Sequence, residues 1–244
     1  MKKTSRLTDD PMGSAIYDYF TKGTAGQLVV HSSMFDDDEI PVEDLFRSFE
    51  EMPELEQTAL KMCRGRVLDV GAGAGCHSVA LQNMGLQTVA VDISGLSVEV
   101  MKMRHLDARR IDFYDCNFTE KFDTVLMLMN GTGIIGRLEN TEAFFNRLRQ
   151  LLNPKGCVLI DSSDLRYLYE EEDGSLMIDL ADDYYGLVDY QMEYLGSVGE
   201  TFDWLYLDFE TLSYYAQEYG FRAELVAEGE HYDYLAALYL CESR

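Results

Sequence analysis

Residues 67–75 read Val-Leu-Asp-Val-Gly-Ala-Gly-Ala-Gly, and this stretch decides the fold class. A short apolar run ends at Val70, and three glycines follow at alternate positions, Gly71, Gly73 and Gly75. An apolar run that meets such a turn predicts a buried strand passing into a helix, because glycine lets the backbone bend tightly. The glycines also leave backbone atoms open to a ligand, so the stretch predicts a nucleotide-type binding loop.

Strand and helix patterns alternate on both sides of this loop. Apolar strands are expected at residues 66–70, 88–92, 124–129 and 157–160, with a weaker one at 111–114. Apolar side chains at helical spacing lie between them, and Ser94 and Asn140 are placed to cap two of the helices. Strands that are apolar on both faces and alternate with helices predict an α/β fold with a mostly parallel sheet.

The first 65 residues read as mainly helical. Pro11 and Pro41 mark expected helix starts, because proline at a first helical position has no amide proton to leave unpaired. Residues 27–30 suggest a short extended piece. We therefore expect residues 1–65 to form an amino-terminal helical cap.

The alternation breaks again at residues 161–210. Patterns at residues 189–194 and 201–207 predict an antiparallel hairpin, and a final helix and two strands follow it. Residues 66–244 are therefore expected to form one domain that carries this segment as an insertion.

Charge is abundant and uneven along the chain. The 244 residues carry 20 basic and 44 acidic side chains, a formal charge of −24 at pH 7. Residues 161–244 hold 21 of the acidic and three of the basic side chains. Nucleic acids and anionic membrane surfaces bind through clustered Lys and Arg, so neither is an expected partner. The composition, 47% hydrophobic and 26% charged, is that of a folded protein with a packed site.

The cysteines indicate a reducing compartment. They are an odd number and lie singly, at Cys63, Cys76, Cys116, Cys157 and Cys241. Such spacing favours neither a disulfide framework nor a thiolate metal site, and no metal is expected. No secretory leader or apolar stretch of about 18 residues is found, so a cytoplasmic protein is expected.

The position after the third glycine separates two families of binding loop. The dinucleotide fingerprint G-x-G-x-x-G would need glycine where this chain has Cys76. An acidic residue followed by G-x-G-x-G instead resembles the first motif of the class I S-adenosylmethionine (SAM)-dependent methyltransferases. The resemblance covers residues 60–160 well and the last helix and two strands loosely. It implies a Rossmann-like, doubly wound, seven-stranded sheet, SAM as cofactor, and methyl transfer as the activity.

The resemblance also implies which residues bind the cofactor. Asp69 would help to hold its cationic methionine end, beside the backbone of Gly71, Ala72 and Gly73. Gly75 is open to a simpler interpretation, close helix packing.

Two further groups would hold the nucleoside. Asp92 ends the second strand, where an acceptor-only carboxylate can take both ribose hydroxyl protons, and Ile93 follows it. Asp115 and Cys116 resemble the pair at the adenine, although Asp112 competes with Asp115 for this role.

The fourth strand ends at the lip of the expected pocket. Met129 and Asn130 are the cofactor-binding candidates there, with simple turn capping the alternative for Asn130. The N-P-P-[YF] and D-P-P-Y motifs of methyltransferases acting on adenine or glutamine are missing at this point. Methylation of those groups is therefore not supported.

Methyl transfer from a sulfonium is an in-line displacement, so the protein mainly aligns the reactants and excludes water. Histidine as a residue type ionises near neutral pH, which makes His77 and His231 candidate bases, but local orientation or capping is the favoured interpretation of His77 and a surface loop that of His231. No catalytic residue is therefore assigned. Tyr17 and Tyr19 are either lid residues over the pocket or core-facing aromatics.

The acceptor is expected to be a small molecule. The Tyr- and carboxylate-rich last third suggests a cationic or amine acceptor, through cation–π and charge attraction; the alternative is a merely solvated acidic surface. A SAM-binding protein without catalysis and an NAD-dependent oxidoreductase are the rival functions. The sequence leaves the oligomeric state open.

Overall fold

The computed structural model describes residues 10–115, 117–170, 175, 177 and 183–241. Cys116 therefore lies outside the described residues, as does most of the segment 171–182. The helices are α1 (Pro11–Lys22), α2 (Glu54–Met62), α3 (Cys76–Asn83), α4 (Gly95–Met103), α5 (Thr141–Leu151) and α6 (Phe209–Glu218). Among the described helices, none is long and apolar enough to cross a membrane.

The strands divide between two sheets. They are β1 (Leu28–His31), β2 (Asp38–Glu39), β3 (Arg66–Val70), β4 (Gln87–Asp92), β5 (Ala108–Arg110), β6 (Phe122–Met127), β7 (Leu152–Ser163), β8 (Leu187–Tyr194), β9 (Ser197–Val198), β10 (Phe202–Leu205), β11 (Phe221–Glu228) and β12 (Asp233–Leu240). Short 3-10 helices lie at Val42–Phe46, Phe49–Glu51, Gly131–Ile135, Leu138–Asn140 and Leu165–Tyr169.

The central sheet has seven strands in the order β11-β12-β7-β6-β3-β4-β5. Strands β7, β6, β3, β4 and β5 are parallel, and β12 is antiparallel to both of its neighbours. The prediction of a mostly parallel, seven-stranded α/β sheet is confirmed. Its carboxyl edge, formed by the ends of the parallel strands, is where ligands bind in open α/β sheets.

The sheet is buried on both faces, as its apolar strands require. Val125 and Met127 of β6 pack in a core with Phe144 of α5, whereas Leu126 faces a second core with Leu81 of α3. Successive side chains of a strand point to opposite faces, so one continuous apolar run serves both cores. This burial fixes the strands rigidly and holds their carboxyl ends in register.

A second sheet, which we call the lid sheet, joins residues 28–39 to residues 187–205. It has the order β10-β8-β1-β2, with β9 also paired to β8, and every pairing is antiparallel. The expected hairpin is confirmed in β8, β9 and β10. The amino-terminal segment is not purely helical, because β1 pairs with β8 from Leu28↔Tyr194 to His31↔Gln191.

Three local predictions were wrong in detail. The third parallel strand is Ala108–Arg110 and not 111–114, since the Asp112 carboxylate accepts a hydrogen bond from the Tyr114 amide and closes a turn there. Pro41 begins a 3-10 helix and not an α-helix. Asn140 occupies the N-cap position of α5, but its side chain donates to the Ile135 carbonyl and caps nothing.

Candidate active site

The glycine-rich turn lies at the carboxyl end of β3. Gly73 has φ +55°, and a side chain built on it would meet no protein atom nearer than Ile16 of α1, at 4.0 Å. Gly75 differs, because a Cβ there would lie 2.6 Å from Leu106. Gly73 therefore leaves open space for a ligand beneath α1, whereas Gly75 permits close packing against the helix layer, the simpler of its two interpretations.

Asp92 closes the neighbouring strand and faces the same turn. Its carboxylate accepts hydrogen bonds from the Gly73 amide and the Ser94 amide, both at 2.8 Å. Burial raises the pKa of Asp92 to about 6, with a smaller contribution from the nearby charge of Asp10. Burial therefore disfavours the ionised form of Asp92 beside the loop. Hydroxyl donors of a ligand would stabilise that ionised form.

Asp69 lies below the turn, inside the protein. It is 2% exposed, accepts a hydrogen bond from the Ser78 hydroxyl at 2.7 Å, and has its pKa raised by burial. The imidazole of His77 carries a charge that opposes this rise. Asp69 is thus a buried acid beneath the glycine turn, held by Ser78.

His77 belongs to a buried ion-pair network. Its Nε2 lies 2.7 Å from Glu56, and Glu56 also binds the Arg47 guanidinium. Burial alone would raise the pKa of Glu56, but the bonds from His77 and Arg47 hold it below its ordinary value. The pKa of His77 is raised because Glu56 and Asp69 outweigh its burial. His77 therefore orients and balances charge locally, in line with the simpler of its two interpretations.

The end of β6 forms an uncommon turn. Met129 and Asn130 both adopt left-handed backbone conformations, with φ of 66° and 61°. The Asp161 carboxylate, at the end of β7, accepts hydrogen bonds from the Met129 amide at 3.0 Å and the Gly131 amide at 2.8 Å. Burial raises the pKa of Asp161 to about 6. Sequence reasoning missed this residue, although an acid directly after the apolar run 157–160 was the available signal.

The nucleoside candidates lie after β4 and β5. Ile93 is 68% exposed and so offers an apolar surface beside Asp92. Asp115 accepts bonds from the amide and side chain of Asn117, while Asp112 accepts from Tyr114, so both acids already close turns. The choice between them stays a prediction, and Cys116 lies outside the described residues.

The two tyrosines expected on the first helix pack into the cap. The Tyr19 ring packs against the Phe46 ring, with centroids 4.9 Å apart and planes tilted by 31°. Tyr17 packs against the cluster that contains Ala74 of the glycine turn. Both side chains fit the core-facing interpretation. Through Tyr17 and Ile16, α1 nevertheless forms one wall beside the turn.

The lid sheet forms the other wall. Gly133, in the 3-10 helix after β6, lies directly beneath the indole of Trp204, and a Cβ there would lie 1.9 Å from the ring. His231 is exposed, and its backbone amide is held by Asp233, so it has no evident role at this edge. The structure thus brings Asp69, the glycine turn, Asp92, Met129 and Asn130 to the ends of three adjacent strands.

Comparisons with known proteins agree with this geometry. A methyltransferase-domain family model matches residues 67–156. A SAM-dependent methyltransferase from Bacteroides fragilis, solved with S-adenosylhomocysteine, is 57% identical and superimposes with a TM-score of 0.91, over 96% of this chain and 95% of that one.

Curated relatives align over shorter stretches. Cypemycin N-terminal methyltransferase from a Streptomyces species is 34% identical over 102 residues, which is 40% of this chain and 42% of that protein. A ubiquinone biosynthesis O-methyltransferase from Rhodopseudomonas palustris is 28% identical over 101 residues, 39% of this chain and 38% of that protein. The chain therefore spans less than half the length of these two relatives.

The open space at Gly73 and the carboxylates around it suit a ligand that carries hydroxyl donors and positive charge. From its fold and from the near full-length match to the Bacteroides protein, the chain belongs to the class I SAM-dependent methyltransferases, and its cofactor is SAM.

Proposed function

We propose that this chain transfers the methyl group of SAM to a small-molecule amine that binds between the lid sheet and the carboxyl edge of the central sheet. One observation carries the proposal: an aromatic face of the lid sheet is anchored at both ends over that edge. Residues opposite each other in antiparallel strands share a face, which places Tyr190, Phe202 and Trp204 together. Tyr194 lies four residues after Tyr190 in β8, so the alternation of side chains along a strand places it on the same face.

Each end of this face has its own anchor. Tyr194 is buried against Ala15 of α1, the helix beside the glycine turn. Trp204 covers Gly133, just past the end of β6. Between the anchors, Tyr190 and Phe202 remain half-buried, with ring centroids 6.3 Å apart. A lid sheet held over the carboxyl edge in this way encloses a small acceptor and excludes water better than it accommodates a nucleic acid.

Electrostatics favours an amine over an anionic acceptor. Among the described residues from 161 onward, Arg166 and Arg222 are the basic side chains, and each pairs with a carboxylate two positions away, Asp164 and Glu224. The carboxyl edge itself carries Asp69, Asp92 and Asp161. A carboxylate or phosphate acceptor would be repelled there, whereas a nitrogen that becomes positively charged on methylation would be stabilised.

The names of two relatives indicate different kinds of acceptor. One is named as an N-terminal methyltransferase and another as an O-methyltransferase. Because these names do not choose between nitrogen and oxygen, the choice of an amine rests on the charges above.

The chain's own residues then have defined tasks. SAM supplies a methyl carbon activated by its sulfonium, so that a C–N bond forms while the C–S electron pair stays on sulfur. Asp69 would hold the methionine end and Asp92 the ribose hydroxyls. The lid sheet aligns the acceptor and excludes water. A neutral amine needs no base before attack, and the product ammonium can lose its proton to water after release.

The test is a transfer assay with methyl-tritiated SAM against metabolite pools fractionated into amines, phenols and carboxylic acids. We expect label in the amine pool together with equimolar S-adenosylhomocysteine. Label only in phenols or acids would overturn the amine assignment. If SAM binds in calorimetry but no pool is labelled, the chain is a SAM-binding protein that does not catalyse transfer.

A further inference from the structure

The turn after β6 requires support from outside itself. Left-handed backbone is rare for residues other than glycine, and Met129 and Asn130 adopt it in succession. The Asn130 side chain makes no cap of the 3-10 helix that it precedes. The conformation must be imposed by groups that contact the turn from elsewhere.

Those groups are three consecutive residues at the end of β7. Asp161 accepts the amides of Met129 and Gly131, one on each carboxylate oxygen. Ser163 donates its hydroxyl to the Asn130 side-chain oxygen at 3.0 Å. Ser162, between Asp161 and Ser163, accepts hydrogen bonds at its hydroxyl from the Thr132 hydroxyl at 2.7 Å and from the Leu207 amide at 3.0 Å. Leu207 lies two residues after the end of β10.

This turn borders the cofactor loop. Strands β3 and β6 are parallel neighbours, so Gly71 and Met129 follow adjacent strand ends. The 3-10 helix that the turn begins reaches the loop directly: Ile134 lies 3.6 Å from the Cβ position of Gly71. Any shift of residues 129–131 would therefore be transmitted to the surface that receives the cofactor.

We propose that Asp161 is a positioning residue for SAM: it holds the Met129–Asn130 turn in the conformation that completes the cofactor site. Asp161 accepts from both the Met129 amide and the Gly131 amide, because a carboxylate has the two oxygens needed to serve both. The proposal rests on SAM binding at the carboxyl edge and is independent of the identity of the acceptor.

Asp161→Asn is the decisive variant, since it keeps the size of the side chain. Its amide has one oxygen, so one backbone N–H loses its acceptor and faces an NH₂ group. Asp123→Asn is a matched control at the opposite end of β6, where Asp123 also accepts two N–H groups, from Arg66 and Asn153, both at 2.8 Å. Calorimetry would measure binding of SAM and S-adenosylhomocysteine to each purified full-length protein.

We expect Asp161→Asn to weaken both ligands at least tenfold and by similar factors, while Asp123→Asn stays within twofold of the natural protein. Hydrogen exchange should show the Met129 and Gly131 amides opening faster in Asp161→Asn alone. Loss of SAM affinity with unchanged S-adenosylhomocysteine affinity would mean that Asp161 acts only through its charge on the sulfonium, and would overturn positioning.

Unchanged affinity for both ligands, with faster exchange at the turn, would also overturn the proposal. If Asp161→Asn does not fold, Ser163→Ala, which removes only the tie to Asn130, should weaken both ligands by a smaller common factor; no change would count against the proposal. Failure of the natural protein to bind SAM at all would instead contradict the cofactor site itself, so the two failures are distinguishable.

Discussion

Replacing Gly73 with alanine should weaken SAM binding while leaving the fold intact. The new Cβ would meet no side chain nearer than Ile16, at 4.0 Å, so the fold is disturbed only by the backbone conformation, φ +55°. A left-handed non-glycine residue costs about 1–2 kcal/mol. For a chain of this length that corresponds to a fall in Tm of roughly 2–8 °C.

The effect on the ligand should be separate. The methyl group would enter space that the cofactor needs, and overpacking a close contact costs about 1–3 kcal/mol. This corresponds to a roughly 5- to 150-fold rise in the Kd for SAM. Calorimetry measures the Kd, and urea unfolding measures the stability of the same preparation.

Gly85→Ala provides the matched control. Gly85 has φ +85° with no atom within 4 Å of a built Cβ, and it follows α3 away from the carboxyl edge. Both variants should lose similar stability, but only Gly73→Ala should lose affinity. If Gly73→Ala binds SAM as tightly as Gly85→Ala does, the cofactor does not approach this turn and the site has been misplaced.

Three further predictions follow from the same geometry. Burial raises the pKa of Asp92 to about 6, and the ionised carboxylate is the better acceptor for ribose hydroxyls, so SAM affinity measured by calorimetry should fall as the pH drops below about 6. Asp92→Asn should bind weakly and show a smaller fall, and the part that remains is expected from Asp161, whose pKa is also raised to about 6. Glu56→Ala leaves Arg47 and His77 without their shared carboxylate partner. The free energy of unfolding in urea should therefore fall by about 3–5 kcal/mol, and a fall below about 1 kcal/mol would contradict a charged network. Gly133→Ala must displace the Trp204 ring, because the new Cβ would overlap it. The KM for the acceptor should therefore rise while the Kd for SAM stays within twofold. An equal rise in both constants would mean that the Trp204 ring also shapes the cofactor site.

Local periodicity was enough for the parts of the fold that depend on neighbouring residues. The strands ending at Val70 and Asp92 follow from apolar runs before polar or glycine positions, and both lie where expected. The strand expected at 111–114 failed because buried Phe113 belongs to a turn, which an apolar count cannot distinguish from a strand. Strand β5 itself, Ala-Arg-Arg, has almost no apolar signal.

The remaining features depend on partners far away in the chain. His77 lies 21 positions from Glu56, so a pattern along α3 could not indicate the ion pair. The short run at Leu28 gave no sign that its hydrogen-bond partner would be β8. Asp161 was within reach, because the rule that places Asp92 at the carboxyl edge applies equally to an acid directly after the apolar run 157–160.

The lid sheet also has a consequence for how the protein is made. The Tyr194 hydroxyl donates to Asp18, 176 positions earlier, so α1 gains this contact only after most of the chain has been synthesised. At about 5–20 residues per second, that interval is roughly 9–35 s. During that time the edge of β1 that will pair with β8 is unpaired, and the lid sheet beside the glycine turn is incomplete. A ribosome-bound chain that ends before residue 187 should therefore be more sensitive to protease around Leu28 than one that extends past β10.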